Sequence, residues 1–591
     1  MKMTPLSSVS LPPVTTMRPK EKPTLTSSSF GRPLFFDVET EPVRHDVRLP
    51  RPVVGSFSYE NDLPRIGSPD EIAALVRAHS GPLVGHNVSF DLAVLGIEHE
   101  ALGSEARLYD TAIRATLRGA ISGDPAAADS SLKRLAGNLG IALSGKGTVQ
   151  LSFRVGAQLT DEQLQYAKED ITATRAVWQS QGADCRVPDE ERQTLLAASV
   201  FRMAREGVRI EVARVRGHIA KLERGKSALQ SELKSYGIIQ PRGSKKDPWK
   251  KSAVSEEIIQ EFLRKAGATK YTETGEQLAA DEEALLATGI SELRRLVEYR
   301  KISKQITMFQ AFDTGEGDVV RAYWKSLVVT GRISCSKPNL TNIPKQGGFR
   351  ECLLPDEGEV WIDADFPALE LRTWAYVCQK WLGRSSLLQT WREGKDPHWR
   401  TAATILRTPY DSVKAHPRAD ETRQLAKVLN FGLPGGMYPK RLRNHLRSKG
   451  YPVGLYAATK LRNDWLKTYP EANEYFEYID GLAEGDRFRV ALPDNGRERL
   501  CFQNDARNYP FQGLGSDVAK EALKLAQNAG LKVKALVHDQ MLVSAPLREA
   551  QEVGRVLVQC MQRAGENICP TVPWEGIKFA IYPERWVSKA Y

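Results

Sequence analysis

The sequence predicts a multidomain chain, α/β in its N-terminal part and α+β beyond it. Three observations lead there. The chain has 591 residues, which at about 150 residues per domain suggests roughly three to five domains. Hydrophobic residues make up 41% and charged residues 26%, the balance of a globular protein and not of a disordered or fibrous one. Short apolar runs ending in acids alternate with helical spacing over 31–187, a mostly helical stretch covers 193–312, and mixed structure returns over 319–591.

Taken in order, residues 1–30 are rich in Ser, Thr and Pro with Glu21 as the sole acid. Such a segment has too little apolar surface to fold and reads as a flexible tail. Pro33 to Glu39 is a short apolar run ending in acids, a buried strand; Pro82 to Asn87 is a second strand entering a turn. Asp161 to Gln179 has helical spacing, and the polar Gly182–Arg192 segment marks a boundary. Val212–Ser235 places Val215, Ile219, Leu222 and Leu229 on one helical face, and Ser291–Phe312 is a second such helix. Between them Arg242, Lys245, Lys246, Lys250 and Lys251 surround Trp249 with one acid, Asp247, in a Gly- and Pro-containing loop. That loop is either simply solvated or a contact for phosphates, whose charge it would neutralise. A strand-rich part (Val319–Tyr376), helices over about 385–475, and a strand–turn–strand at Val533–Ser544 complete the chain.

No segment reaches the ~20 apolar residues of a membrane helix, which excludes that kind of spanning protein. The seven cysteines are scattered and none forms a CxxC pair, so neither a disulfide framework nor a ribbon-type zinc site is expected. A reducing compartment fits. The net charge of +11 is compatible with a nucleic-acid partner without requiring one.

Asp37 and Glu39 form a D-x-E pair at a strand end, where i and i+2 share a face. Gly85 to Asp91 follows as an N-x-x-x-F-D element, and Tyr166 to Asp170 as Y-x-x-x-D on a helix, where i and i+4 are neighbours. Each alone is compatible with capping or surface acids. Four converging carboxylates repel unless cations sit among them. Two hard divalent ions, Mg²⁺ or Mn²⁺, roughly 4 Å apart would supply that charge and could activate water against a phosphodiester.

These elements resemble the ExoI, ExoII and ExoIII motifs of DEDD-type 3′→5′ exonucleases of the tyrosine-bearing subgroup. The resemblance implies an RNase H-like domain over 31–187. It implies metal ligation by Asp37, Glu39, Asp91 and Asp170, and water orientation by Tyr166.

A second constellation lies further on. Thr330 to Pro344 is a Gly-, Pro- and Asn-rich loop carrying Arg332 and Asn339, suited to phosphate and groove contacts. Val360 to Phe366 alternates like a strand, with Asp363 and Asp365 on one face, and Phe366 to Arg372 opens a helix. Arg423, Lys427 and Phe431 are spaced by four; each such step turns a helix about 400°, so all three share a face. That face suits either an ordinary amphipathic helix or a triphosphate with a stacked base. Lys532 to Ser544 reads as a hairpin with Asp539 at its tip, so Asp365 and Asp539 could meet as a second two-metal site.

Together these segments resemble the polymerase region of family A DNA polymerases, particularly compact phage-like forms; Asn508 to Gly513 also fits. The resemblance implies a right-hand polymerase: thumb over 188–318, palm over 319–385 and 476–591 with an antiparallel sheet, and helical fingers over 386–475. It implies metal ligation by Asp365, Asp539 and the Phe366 carbonyl, and a steric gate at Glu370. Arg423, Lys427, Phe431 and His398 would bind the dNTP, with Lys427 as a proton donor to pyrophosphate. Arg332, Asn339, Gln512 and His538 would touch the primer–template, joined by Lys245, Lys246, Lys250 and Lys251 at a thumb tip.

Three departures stand out. Phe366, Pro367 and Ala368 replace the usual Y-S-Q; Gly435 stands where a tyrosine is usual; Gln540 stands where an acid usually follows the motif C aspartate. Pro434 and the following glycines are expected to end the helix, and Tyr438 is a candidate substitute for the tyrosine. The expected activity is template-directed DNA synthesis with 3′→5′ proofreading, using two Mg²⁺ or Mn²⁺ ions per site. No 5′-nuclease domain is expected ahead of residue 31. The alternative is a 3′→5′ exonuclease whose degenerate polymerase half only holds DNA. Expected partners are primer–template DNA and dNTPs, with a processivity factor, single-strand binding protein or helicase as further candidates. A monomer in a bacterial or phage-infected host cytoplasm is expected.

Overall fold

The computed structural model describes residues 31–587 except 44–46, 48, 99–107, 125, 127–128, 146, 183–186, 245–246, 269–276, 314 and 316, and describes 241–253 by backbone alone. The tail 1–30, Lys245 and Lys246 lie outside the described residues, as do the side chains of Lys250 and Lys251.

The N-terminal sheet has the order β3-β2-β1-β4-β5, from β1 (Leu34–Thr40), β2 (Pro52–Tyr59), β3 (Arg65–Gly67), β4 (Leu83–Gly85) and β5 (Leu108–Asp110). β1 runs antiparallel to β2 and parallel to β4. Its sequence LFFDVET sends alternate residues to opposite faces. Leu34, Phe36 and Val38 enter a core with Ile72 and Val76 of α1 (Pro69–Ala78) and Leu92 of α2 (Val88–Val94). Phe35 goes the other way, against Val84, Tyr109, Ile171 and Trp178; the last two belong to a helix over Asp161–Ser180. Gly55 lets α1 lie close, since a Cβ there would sit 2.2 Å from Ile72. Asp110 caps a helix, α3 (Thr111–Ser122), and the Asp161–Ser180 helix follows as α4.

A helix over Glu190–Glu206, α5, begins inside the segment that the sequence marks as a boundary. It serves both halves. Arg114 of α3 donates to Glu190 at 2.7 Å and lies 3.8 Å over the Trp178 ring. On the next residues of the helix, Arg192 donates to Asp517 at 2.6 Å and Gln193 to the same carboxylate at 3.1 Å. Arg497 closes the knot on Asp189 and Asp517. These groups are almost entirely removed from water.

Helices α6 (Val212–Ser235) and α7 (Ser291–Gln310) pack together as the periodicity predicts. Between them the basic segment is no loop. It is an antiparallel ribbon, β6 (Ile239–Ser244) and β7 (Asp247–Val254), with Ile239 opposite Val254 at its base. The buried Ile239 anchors that base in the local core with Leu233 and Ile259. In a free two-stranded ribbon Pro241 and Pro248 remove few ladder bonds, which is why a Pro-containing segment can pair here.

The C-terminal sheet is fully antiparallel, in the order β9-β10-β8-β11. Its strands are β8 (Glu359–Asp365), β9 (Lys532–Val537), β10 (Gln540–Pro546) and β11 (Lys578–Tyr582). Helices α8 (Leu369–Leu382), α11 (Gln503–Asn528) and α12 (Ala550–Ile568) share its largest core, with Trp374, Trp465 and Tyr475 fully buried. Between α8 and α11 come α9 (Pro397–Leu406) and α10 (Ala419–Gly432), the latter ending just before Pro434 as expected. Among the described residues six cysteines, all buried, are free thiols. Among the described residues no helix is long and apolar enough to cross a membrane.

Asp517→Ala is expected to cost about 3–5 kcal/mol, because Arg192 and Arg497, packed together, lose one of the two carboxylates that they share. Chemical denaturation measures this, and a loss under 1 kcal/mol would mean that the knot contributes only as a surface pair does. Lys520 adds a pH dependence. Burial lowers its ammonium to about 7 although Asp517 opposes the shift. The unfolded chain therefore holds a proton that the folded one releases between about pH 7 and 10. Stability rises with pH across that window, on the order of 1 kcal/mol per pH unit at most. Lys520→Met should flatten the rise; an unchanged slope would show that Lys520 is charged throughout.

Candidate active sites

Two acidic sites form, each at the end of a central strand. In the N-terminal site the face of β1 opposite the α1 core carries Phe35, Asp37 and Glu39 towards α4. There Ile171 packs on Phe35 and Asp170 meets the acids. Asp37, Glu39 and Asp170 each offer an oxygen within 4.8 Å of the others. Asp91 reaches the same place from α2, accepting from the Val38 amide at 3.1 Å. Burial first, then the Asp37 charge, raises the Asp91 carboxyl well above its ordinary value. Tyr166 lies one turn before Asp170; burial first, then Asp170, raises its phenol strongly. All five sequence-predicted residues therefore meet.

Sequence reasoning missed Asp110. Its carboxylate accepts from the amides of Asn87 and Val88 at 3.1 Å each and of Ala112 at 2.8 Å. It ties the left-handed turn at Asn87 (φ 63°) to the start of α3, and so aims the helix that bears Asp91. The signal was a helix-start aspartate before a periodic apolar run.

In the second site Asp365 ends β8 opposite Gln540, the first residue of β10. Asp539 sits in the turn between β9 and β10, where His538 has φ 58°. The Phe366 amide donates to the Asp539 carbonyl at 3.0 Å and locks the turn against β8. Burial, then Asp539, pushes Asp365 up to about 8; burial raises Asp539 as well. Lys345, another residue missed in the sequence, opposes both shifts from the loop after Pro344.

A cavity of about 380 Å³ opens beside the pair, lined by Arg332, Glu370, Phe431, Gln512, His538 and Asp539. Arg332 donates to Glu370 at 2.8 Å across its mouth. Lys520 holds the Arg332 loop by donating to the Gly331 carbonyl at 3.1 Å. Asn339 does not join the lining. It is exposed, accepts from Thr341 at 2.6 Å, and leaves Thr341 and Asn342 to face the cavity.

Arg423, Lys427 and Phe431 share one face of α10, with Phe431 half exposed. Arg423 is held by Asp396 at 2.6 Å, and Asp396 also caps α9 through the amides of His398 and Trp399. Burial lowers His398 to about 4, so its ring is neutral at pH 7, bonded at Nδ1 to Asn430 (2.9 Å). Burial, then Arg423, lowers the Lys427 ammonium. At Gly435 a Cβ would stand 2.4 Å from the Asn508 side chain. No larger residue fits there unless Asn508 moves. Tyr438 is more than half exposed and begins the next helix beside Arg507.

Both donor sets are oxygen-only and made of buried like charges, which is the set that hard divalent cations take. The family description for DNA polymerase family A matches residues 251–576. A DNA polymerase I of Aquifex aeolicus is 27% identical over 581 residues, covering 94% of this chain and 96% of its own length. A DNA polymerase I of Pseudomonas aeruginosa is 25% identical over 534 residues, covering 84% of this chain and 56% of its own length. Among solved structures, the POL domain of Pol1 from M. smegmatis, in complex with DNA primer-template and dNTP, gives a TM-score of 0.71. It is 18% identical, and the match covers 94% of this chain and 96% of that one. That likeness is one of fold. The chain belongs to DNA polymerase family A.

Asp110→Ala is expected to cost about 2–3 kcal/mol, since it strands several buried amides and removes a cap. Urea unfolding measures it; a change under 0.5 kcal/mol, the level of an ordinary surface substitution, would remove Asp110 from its supporting role.

Proposed function

We propose that the protein is a template-directed DNA polymerase that also removes nucleotides from the primer 3′ end. Membership of the family and the convergence of Asp365 with Asp539 beside a cavity lined by Arg332, Glu370, Phe431 and Gln512 carry the polymerase reading. The Asp37, Glu39, Asp91 and Asp170 cluster carries the nuclease reading.

In this reading residues 188–318 form a thumb, 319–385 and 476–591 a palm, and 386–475 the fingers. The primer 3′-OH attacks the α-phosphorus of a dNTP and pyrophosphate leaves. Two divalent ions held by Asp365, Asp539 and the Phe366 carbonyl would supply charge stabilisation for both the attacking and the leaving oxygen. The chain's own residues position the reactants. Arg423 and Lys427 hold the triphosphate, and Arg423 must then exchange Asp396 for phosphate. Lys427, its ammonium loosened by burial and by Arg423, gives its proton to pyrophosphate. Glu370, fixed by Arg332, closes the space that a ribose 2′-OH would need. Neutral His398 offers its ring to phosphate, and Phe431 packs on the incoming sugar. Arg332, Gln512 and His538 read the primer end. The β6–β7 ribbon lies along duplex phosphates, whose charge Lys245, Lys246, Lys250 and Lys251 neutralise. At the second site Asp37, Glu39, Asp91 and Asp170 would hold two further ions, and Tyr166 orients the water.

A 5′-labelled primer on a longer template tests both readings. Asp365→Asn should lower extension at least about 10³-fold while shortening without dNTPs persists. Asp37→Asn should do the reverse. EDTA should stop both reactions. Shortening by the wild type both with and without dNTPs would instead establish a nuclease whose other half only holds DNA. Glu370→Ala should raise ribonucleotide incorporation relative to dNTPs; unchanged selectivity would place the gate elsewhere.

A further inference from the structure

Behind the Asp365–Asp539 pair, four buried side chains form a closed ring. Asp363 lies two residues before Asp365 on β8 and is 2% exposed. Its Oδ2 accepts from the indole N–H of Trp586 at 2.9 Å. The Gln540 amide nitrogen stands 3.4 and 3.5 Å from the two Asp363 oxygens. The Gln540 carbonyl accepts from Arg350 at 3.2 Å, and the Arg350 guanidinium lies 3.9 Å over the Trp586 ring. Arg350, Gln540 and Trp586 are 3%, 8% and 0% exposed.

A buried carboxylate needs a polar partner, and this one receives two donors. Gln540 follows Asp539 directly and faces Asp365 in the sheet. Whatever fixes the Gln540 amide therefore fixes the start of β10 and the turn that presents Asp539. A glutamine suits this place because it can accept from Arg350 and donate towards Asp363 at once. A glutamate at 540 would set a second carboxylate against Asp363 in a dry site, where like charges repel strongly and Arg350 is the one cation of the ring to offset them. Trp586 ties in the C-terminal segment, so a residue far from the cavity becomes part of its support.

We propose that Asp363 and Trp586 are positioning residues of the polymerase site, acting through Gln540 on the spacing of Asp365 and Asp539. This rests on the polymerase reading above. Supporting partners of metal-ligand carboxylates contribute about 10- to 100-fold when removed.

The test uses the full chain and two near-isosteric variants, Asp363→Asn and Trp586→Phe, with Gln540→Glu and the double variant Asp363→Asn/Gln540→Glu. Primer extension gives kcat and KM for dNTP; shortening by the N-terminal site reports folding. A ¹H–¹⁵N spectrum of tryptophan-labelled protein without metal gives the Trp586 indole signal, assigned as the one lost in Trp586→Phe. Expected are a kcat lowered about 10- to 100-fold in Asp363→Asn and Trp586→Phe, an unchanged KM and unchanged shortening. The indole signal should shift in Asp363→Asn. Gln540→Glu should lose extension, and the double variant should regain most of it, because one buried carboxylate again faces one amide. Wild-type kcat in Asp363→Asn and Trp586→Phe, a parallel fall in shortening, an unmoved indole signal, or no recovery in the double variant would each overturn the inference. A wild type that does not extend primers would overturn the polymerase reading itself, and the inference with it.

Discussion

The Asp517 carboxylate is the point on which the two halves of this molecule depend. Buried on α11, it is claimed by Arg192 and Gln193 from α5 and by Arg497 from the segment before α11. Burial raises its carboxyl, but the two guanidiniums more than offset that and hold Asp517 well below the ordinary carboxylate range. Such a cluster is costly to desolvate and stable only when every member is paired. It therefore specifies one arrangement of α5 against α11. The same helix carries Glu190, held by Arg114 beside Trp178. A single helix thus fixes the N-terminal sheet to the C-terminal one. Lys520 extends the knot to the Gly331 carbonyl, and so to the loop that aims Arg332 at Glu370.

Both candidate sites follow one construction rule. A central strand carries acids at its last residues, where pairing ends and the side chains leave the core. A second element brings the opposing acid: α4 with Asp170 in one site, the β9–β10 turn with Asp539 in the other. Each site concentrates negative charge in a buried place; burial first, and the neighbouring acid second, shift Asp91 and Asp365 upward. Divalent cations would offset that charge. The carboxylates fit that role because their oxygens are hard donors and they are held in place, Asp91 by its carboxylate accepting from the Val38 amide and Asp539 by its backbone carbonyl accepting from the Phe366 amide.

Much of this was legible in the sequence. The D-x-E pair, Tyr166 with Asp170, and the Arg423–Lys427–Phe431 face follow from the periods of strand and helix, which are local geometry. The helices over 161–180 and 212–235 appear where the apolar spacing puts them. The basic segment was different. Its prolines and glycine suggest a loop, yet it pairs as a ribbon because Ile239 and Val254 close its base. Asn339, read from its motif as a DNA contact, is exposed outside the cavity, and the Thr341 and Asn342 that follow it line the cavity instead.

What the sequence by itself determined is which residue types sit on one face of one element, since a period of two or 3.6 needs no partner. It therefore determined the candidate ligands and their order. The tertiary structure alone decided what stands behind them. Asp110 clamping Asn87, Lys345 beside two aspartates, and Trp586 bonded to Asp363 join residues between 20 and 223 positions apart. Such contacts depend on how separate elements pack, and no local period encodes which buried donor will meet which buried acceptor.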